Sequence, residues 1–142
     1  MKILLIQTAF LGDVVLATSL IEKVIEDSPN NEVSVVVRAG AESLLQHHPK
    51  IKRIFVWHKK NNKFFNLWKI IQEIRAEKFD VVINLQRYFS SGLMTILSKS
   101  PLTIGFKSNP FSKWFTHGVD HNVPMITSNS TTGFYHAVQR NF

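Results

Sequence analysis

The residues of this sequence that carry chemistry fall in three short polar stretches. The first is Thr8-Ala-Phe-Leu-Gly12-Asp13. Asp13 follows a glycine and precedes an apolar-periodic segment, so it stands at a helix N-terminus, where the helix dipole favours its ionised form. An ionised carboxylate beside a cleft accepts a proton from a hydroxyl as a general base. Asp is also among the commonest N-cap residues, so the spacing alone allows both roles. The second stretch is Trp57-His-Lys59-Lys60-Asn-Asn-Lys63, whose three lysines meet phosphate or carboxylate as point charges. The third is Gln86-Arg87-Tyr-Phe-Ser90-Ser91. There Arg87 offers a planar fork for carboxylate or phosphate, while Gln86, Ser90 and Ser91 offer neutral hydrogen bonds suited to sugar hydroxyls. One base, several cations and several neutral polar groups make a site for an anionic saccharide.

Other chemistries lack their residues. The first turn has a single glycine, Gly12, where a dinucleotide-binding loop needs three, and no Walker A sequence is present. There is no Gly-x-Ser-x-Gly elbow for a serine hydrolase. His117 and His121 are four apart, but Gly118 and Pro124 argue against the helix that would bring them to one face. With no cysteine and no His-Glu-x-x-His pattern, neither a metal site nor a cofactor is expected.

Composition sets the frame. A chain of 142 residues with 44 % apolar and 19 % charged residues suits one folded domain rather than disorder. The apolar run after Lys2 ends at Gln7, too short for a signal peptide, and no stretch approaches a membrane span. The reading is the first buried strand of a soluble, cytoplasmic protein. The formal charge is +7, and it is unevenly spread. No Asp or Glu occurs from Ser43 to Gln72 or from Val81 to Val119. Such a field attracts nucleic acid, anionic headgroups or phosphorylated glycans, although a merely solvated basic surface has the same composition.

The elements that must position these stretches follow from periodicity. Ile3 to Ile6, Val33 to Val37, Arg53 to Trp57, Asp80 to Leu85 and Leu102 to Gly105 are short apolar runs, as expected of parallel strands covered on both faces. Val14 to Asp27 has helical spacing, with Asp13 at the N-cap position. Ala41 to His47 and Gly92 to Ser98 are predicted as short helices. Phe64, Leu67, Trp68, Ile71 and Ile74 mark an amphipathic helix ending near Lys78. That spacing assigns Phe64, Phe65 and Trp68 to the core rather than to a sugar-stacking platform. The order βαβαβαβαβ predicts an α/β fold, an open parallel Rossmann-like sheet with helices on both faces. In such sheets ligands bind beyond the carboxyl ends of the strands, where all three polar stretches fall. Residues 107–133 read as a long irregular connection, and Phe134 to Phe142 as the first turns of a helix that stops without a C-cap signal. An interrupted helix suggests a shortened chain.

The run Lys2-Ile-Leu-Leu-Ile-Gln-Thr-Ala-Phe-Leu-Gly-Asp-Val-Val-Leu-Ala-Thr-Ser-Leu resembles the opening of glycosyltransferase family 9, the heptosyltransferases. Phe79-Asp-Val-Val-Ile-Asn-Leu-Gln, Ser90-Ser-Gly-Leu, Ile104-Gly-Phe and His136-Ala-Val-Gln-Arg resemble later segments of that family. The resemblance spans nearly the whole chain and implies the N-terminal half of a GT-B enzyme. It implies an acceptor-binding domain over residues 1–133 and the start of an interdomain linker helix over 134–142. A C-terminal donor domain is absent from the sequence, so the fragment is expected to be inactive alone. The implied reaction is metal-independent, inverting transfer of heptose from ADP-heptose to the Kdo/heptose inner core of lipopolysaccharide, with Asp13 as base. Thr8, Gly12, Lys59, Lys60, Lys63, Gln86, Arg87, Ser90 and Ser91 would hold the anionic Kdo–lipid A acceptor. A peripheral place at the inner face of the inner membrane goes with it, and no nucleic-acid partner. Two alternatives remain on the residues alone: a nucleotide- or dinucleotide-binding Rossmann-like domain of another enzyme class, and a basic non-enzymatic nucleic-acid-binding module.

Overall fold

The computed structural model describes residues 1–8, 11–27, 29–58, 60, 62–86 and 88–119, with the backbone alone for 11–17, 44 and 119. Among the described residues six strands and three α-helices follow in the order β1 (Lys2–Ile6), α1 (Leu11–Asp27), β2 (Glu32–Arg38), β3 (Ile51–Trp57), α2 (Lys63–Glu77), β4 (Val81–Asn84), α3 (Phe89–Leu97), β5 (Leu102–Phe106) and β6 (His117–Val119). All are parallel in one sheet of order β3-β2-β1-β4-β5-β6.

The continuous apolar runs are explained by two cores, one on each face of the sheet. Ile3, Leu5, Val33, Val35, Val81, Ile83 and Ile104 pack with Leu20, Ile21 and Val24 of α1. Leu4, Ile6, Val36, Val82, Phe55 and Trp57 pack with Leu67, Ile70, Ile71 and Ile74 of α2 and Met94 of α3. Successive strand residues alternate between these cores, as the pleat requires. The opposite edge, where the strands begin, is tied by charge. Lys2 and Arg53 both reach Glu77, at 2.9 Å and 2.8 Å, while Lys50 and His48 reach Glu22.

Several local expectations need correction. α1 begins at Leu11, so Asp13 is its third residue and not its N-cap. Periodicity marks where a helix packs, and the turn before the packed stripe is invisible to it. Ala41 to His47 holds only a 3-10 turn over Glu42–Leu44, pinned by buried Ala41 and Leu45. α3 starts at Phe89, and β3 at Ile51, both earlier than their apolar spacing suggested. The connection after β5 is not irregular throughout. It forms a 3-10 turn at Ser112–Trp114 and then β6, which begins at His117. Three residues including a glycine leave no strand signal. A side-chain clamp secures the strand instead: the Thr103 amide donates to Thr116 Oγ1 at 3.0 Å, and the Thr116 amide to Thr103 Oγ1 at 2.9 Å. Residues 120–142, including the expected linker helix, lie outside the described residues.

Candidate functional site

The strand order reverses between β1 and β4. The chain runs outward through β2 and β3, then returns through α2 to lay β4 on the other side of β1. The crevice above this reversal is where open α/β sheets bind ligands. Two strand ends and two helix starts converge there. Gln7 and Thr8 leave β1 and are buried, and Asn84 and Gln86 leave β4 and are buried too. The first turn of α1 carries Gly12 and Asp13, and the first turn of α3 carries Ser90 and Ser91.

The polar groups at the reversal form a connected set. Leu85 N–H donates to Ile6 C=O at 3.0 Å, which carries the ladder one residue past β4. Gln86 N–H donates to Asn84 Oδ1 at 2.8 Å. The Gln86 side chain donates to Gln7 Oε1, and also to the Leu85 carbonyl at 3.1 Å. Asn84 Nδ2 is buried and has no hydrogen-bond partner among the described residues. A buried donor left unmade costs about 1–3 kcal/mol, so a ligand oxygen within its reach would be held strongly. Ser91 spends its hydroxyl on the Tyr88 carbonyl at 2.9 Å, which shapes the start of α3, whereas Ser90 is half-buried.

A residue that sequence reasoning did not single out holds the β4–α3 loop. Asn109, buried after β5, donates through Nδ2 to the carbonyls of Gln86 at 3.1 Å and Tyr88 at 3.3 Å. Its Oδ1 accepts the Phe111 amide at 2.9 Å. Gly92 makes this approach possible, since a Cβ there would lie 2.3 Å from Asn109 Oδ1 and 2.6 Å from the Phe111 ring. Gly105 likewise admits the Phe115 ring, 2.4 Å from where its Cβ would stand. The Asn109-Pro110 pair was a readable turn signal, but a turn signal does not say which loop it braces.

The lysine loop lies at the same edge but farther out. Lys60 and Lys63 are exposed after β3, the edge strand. Two strand spacings, about 10 Å, separate β3 from β1, and about 14 Å separate it from β4. Lys63 Nζ lies 5.9 Å from the Trp57 ring and 6.0 Å from the Phe64 ring. Lys59 and Arg87 lie outside the described residues. The structure therefore gathers Thr8, Gly12, Asp13, Gln86, Ser90 and Ser91 at the reversal and sets Lys60 and Lys63 apart on its flank.

Charge is polarised along the strands. Glu22, Glu26, Asp27, Glu32, Glu73, Glu77 and Asp80 all fall in the later halves of helices or at strand starts, away from the crevice. Lys50 beside Glu22, and Lys2 with Arg53 beside Glu77, hold those carboxyls below their ordinary range. At the crevice edge, among the described side chains, Glu42 is the acid beside the cations Arg38, Lys60, Lys63, Lys107 and Lys113, and the backbone of Asp13 lies at the same edge. Among the described residues, no group of His, Cys, Asp and Glu could hold a metal ion, and no helix is long and apolar enough to cross a membrane.

Residues 67–142 match the family described as glycosyltransferase family 9 (heptosyltransferase). The chain belongs to glycosyltransferase family 9. The match begins at Leu67, so the Gly12-Asp13 opening lies outside it. Over 118 residues the chain is 26 % identical to lipopolysaccharide heptosyltransferase 1 of Campylobacter coli, covering 82 % of this chain and 34 % of that one. The solved family 9 glycosyltransferase of Veillonella parvula superposes with a TM-score of 0.83 at 22 % identity, over 98 % of this chain and 40 % of that one. The E. coli heptosyltransferase WaaC, solved with ADP-2-deoxy-2-fluoro heptose, gives 0.81 at 15 % identity, over 96 % and 48 %. At these identities the structural likeness speaks for the fold alone. The chain spans about a third of the length of the curated relatives it matches.

Proposed function

We propose that this chain is the acceptor-binding domain of a two-domain GT-B heptosyltransferase that builds the inner core of lipopolysaccharide. The observation that carries the reading is the position of Asp13, in the first helical turn at the strand-order reversal of a family 9 chain. There the helix turn that bears Asp13 follows β1, whose neighbour β4 ends in the buried Asn84 and leads to the buried Gln86. Asp13 takes the proton from the acceptor hydroxyl as its oxygen attacks the anomeric carbon of ADP-heptose. The ADP leaves from the opposite face, so the sugar inverts, and no metal is required. Thr8, Gly12, Gln86 and Ser90 line the saccharide side, and Ser91 supports them from behind by holding the start of α3. Arg87 and the lysines at 59, 60 and 63 face the carboxylates and phosphates of a Kdo–lipid A acceptor at the inner face of the inner membrane.

Residues 1–133 form the acceptor domain in this reading, and 134–142 begin the link to a donor domain. A cleft of this kind needs both walls to exclude water and to align donor with acceptor, so residues 1–133 alone would transfer no sugar.

The test is Asp13→Asn in a chain that carries the donor domain. As the third residue of α1, Asp13 interacts with the helix dipole, and neutralising it costs about 0.3–1 kcal/mol of stability. Loss of a general base lowers kcat by about 10²–10⁴, with acceptor affinity nearly unchanged. Full activity in Asp13→Asn would place the base elsewhere and reduce Asp13 to a helix-stabilising charge.

A further inference from the structure

The helix that carries the lysine loop also carries aromatic rings that the core does not use. Phe64, Phe65 and Trp68 are 74 %, 67 % and 53 % exposed, contrary to their expected place in the core. The reason is angular. At about 100° per residue, Leu67, Ile70, Ile71 and Ile74 span about 100° of the helix surface and fill the sheet-facing stripe. Phe65 and Trp68 then stand more than about 100° from its centre, with Phe64 on the flank. Three large rings on an anchored helix need an occupant.

The surroundings of the rings point to its chemistry. Lys60, Lys63 and Lys69 are exposed beside them, and no acid occurs between Ser43 and Gln72. Lysine is depleted in the cores of protein–protein interfaces, whereas Phe and Trp flanked by Lys are the composition of helices that lie in a membrane interface. The lysines match anionic headgroups in sign. Tyr88 and Phe89, both exposed at the start of α3, extend the aromatic rim on the same sheet face and at the same edge.

We propose that the first turns of α2, through Phe64, Phe65 and Trp68 with Lys60, Lys63 and Lys69, dock this domain on an anionic phospholipid bilayer. The surface deepens the membrane-peripheral part of the proposed function, and it needs neither sugar nor nucleotide. It holds the crivice edge of the sheet toward the headgroups, the side from which a lipid-borne acceptor enters.

The test is partitioning onto vesicles of phosphatidylethanolamine and phosphatidylglycerol at 3:1, against neutral phosphatidylcholine vesicles, with no saccharide present. The protein should bind the anionic vesicles, and Trp68 emission should shift to the blue in a Trp114→Phe background; Trp57 is buried. Each ring replaced, in Phe65→Ala and Trp68→Ala, should weaken partitioning about tenfold. Lys60→Gln with Lys63→Gln should weaken it about fivefold per lysine and flatten its salt dependence. Because the rings are exposed, the Phe65 and Trp68 variants should keep their thermal midpoint and their affinity for a deacylated acceptor. Failure of the parent to bind, or ring variants that bind as tightly as the parent, would overturn the proposal. So would a concentration-dependent dimer that the ring variants abolish, since the face would then belong to a second copy. None of these outcomes bears on Asp13.

Discussion

Replacing Gly92 by alanine tests the architecture of the β4–α3 loop through an effect whose sign is opposite to the ordinary one. Alanine in place of a helical glycine normally stabilises by about 1 kcal/mol. Here the new methyl would stand 2.3 Å from Asn109 Oδ1 and 2.6 Å from the Phe111 ring. Asn109 cannot withdraw freely, because it holds Gln86 and Tyr88 through Nδ2 and the Phe111 amide through Oδ1. Overpacking of this kind costs about 1–3 kcal/mol. Breaking one or two of the three hydrogen bonds adds about 1–2 kcal/mol. With the propensity gain subtracted, Gly92→Ala should destabilise by about 1–4 kcal/mol. Urea denaturation followed by circular dichroism reads this directly. The double mutant Gly92→Ala/Asn109→Ala supplies the internal control, since truncating Asn109 removes one side of the clash. It should be less destabilised than the two single changes added together. A Gly92→Ala protein more stable than the parent would show that the Asn109 clamp is slack.

Two further outcomes follow from charge. The Glu77 carboxyl is held below its ordinary value of 4.5, first by the Lys2 hydrogen bond. A depressed carboxyl contributes its stability in full above its unfolded value and loses it as pH falls through the lower, folded value. Glu77→Gln should therefore cost about 0.2–1 kcal/mol at pH 7 and little or nothing in acid, where the parent has already lost the pair; a cost unchanged by pH would contradict the assignment. Replacing Lys59, Lys60 and Lys63 by alanine should weaken binding of a Kdo-containing acceptor and reduce its salt dependence, as read by titration at several ionic strengths. An unchanged salt slope would make these lysines a solvated face only.

The fold was legible because both faces of the sheet are covered. Runs such as Ile3 to Ile6 are apolar throughout, and that alone separates a doubly covered parallel strand from a hairpin strand. Strand order was not legible. Nothing local in Val81–Asn84 says that it returns to pair with β1 rather than adding beside β3. The placement of the three polar stretches at one edge was legible, but not which of them converge, since the reversal that separates the lysine loop from Gln86 is a property of the order. Side chains acting across long separations were missed. Asn109 braces a loop 21 to 23 residues earlier, and Gln7 meets Gln86 across 79 residues. The error over Phe64, Phe65 and Trp68 has a different origin. Hydrophobicity predicts burial only while the buried stripe has room, and Leu67, Ile70, Ile71 and Ile74 had already filled it.

In the proposed function the crevice at the β1–β4 reversal holds the saccharide acceptor rather than a nucleotide. Calorimetric titration of this chain with a deacylated Kdo-containing core saccharide, and separately with ADP-heptose and with random-sequence DNA, tests it most directly. The Kdo saccharide should bind saturably and salt-sensitively, with Gln86→Ala and Arg87→Ala weakening it, and ADP-heptose should show no saturable binding. Tight binding of the nucleotide sugar or of DNA, with none of the saccharide, would contradict it.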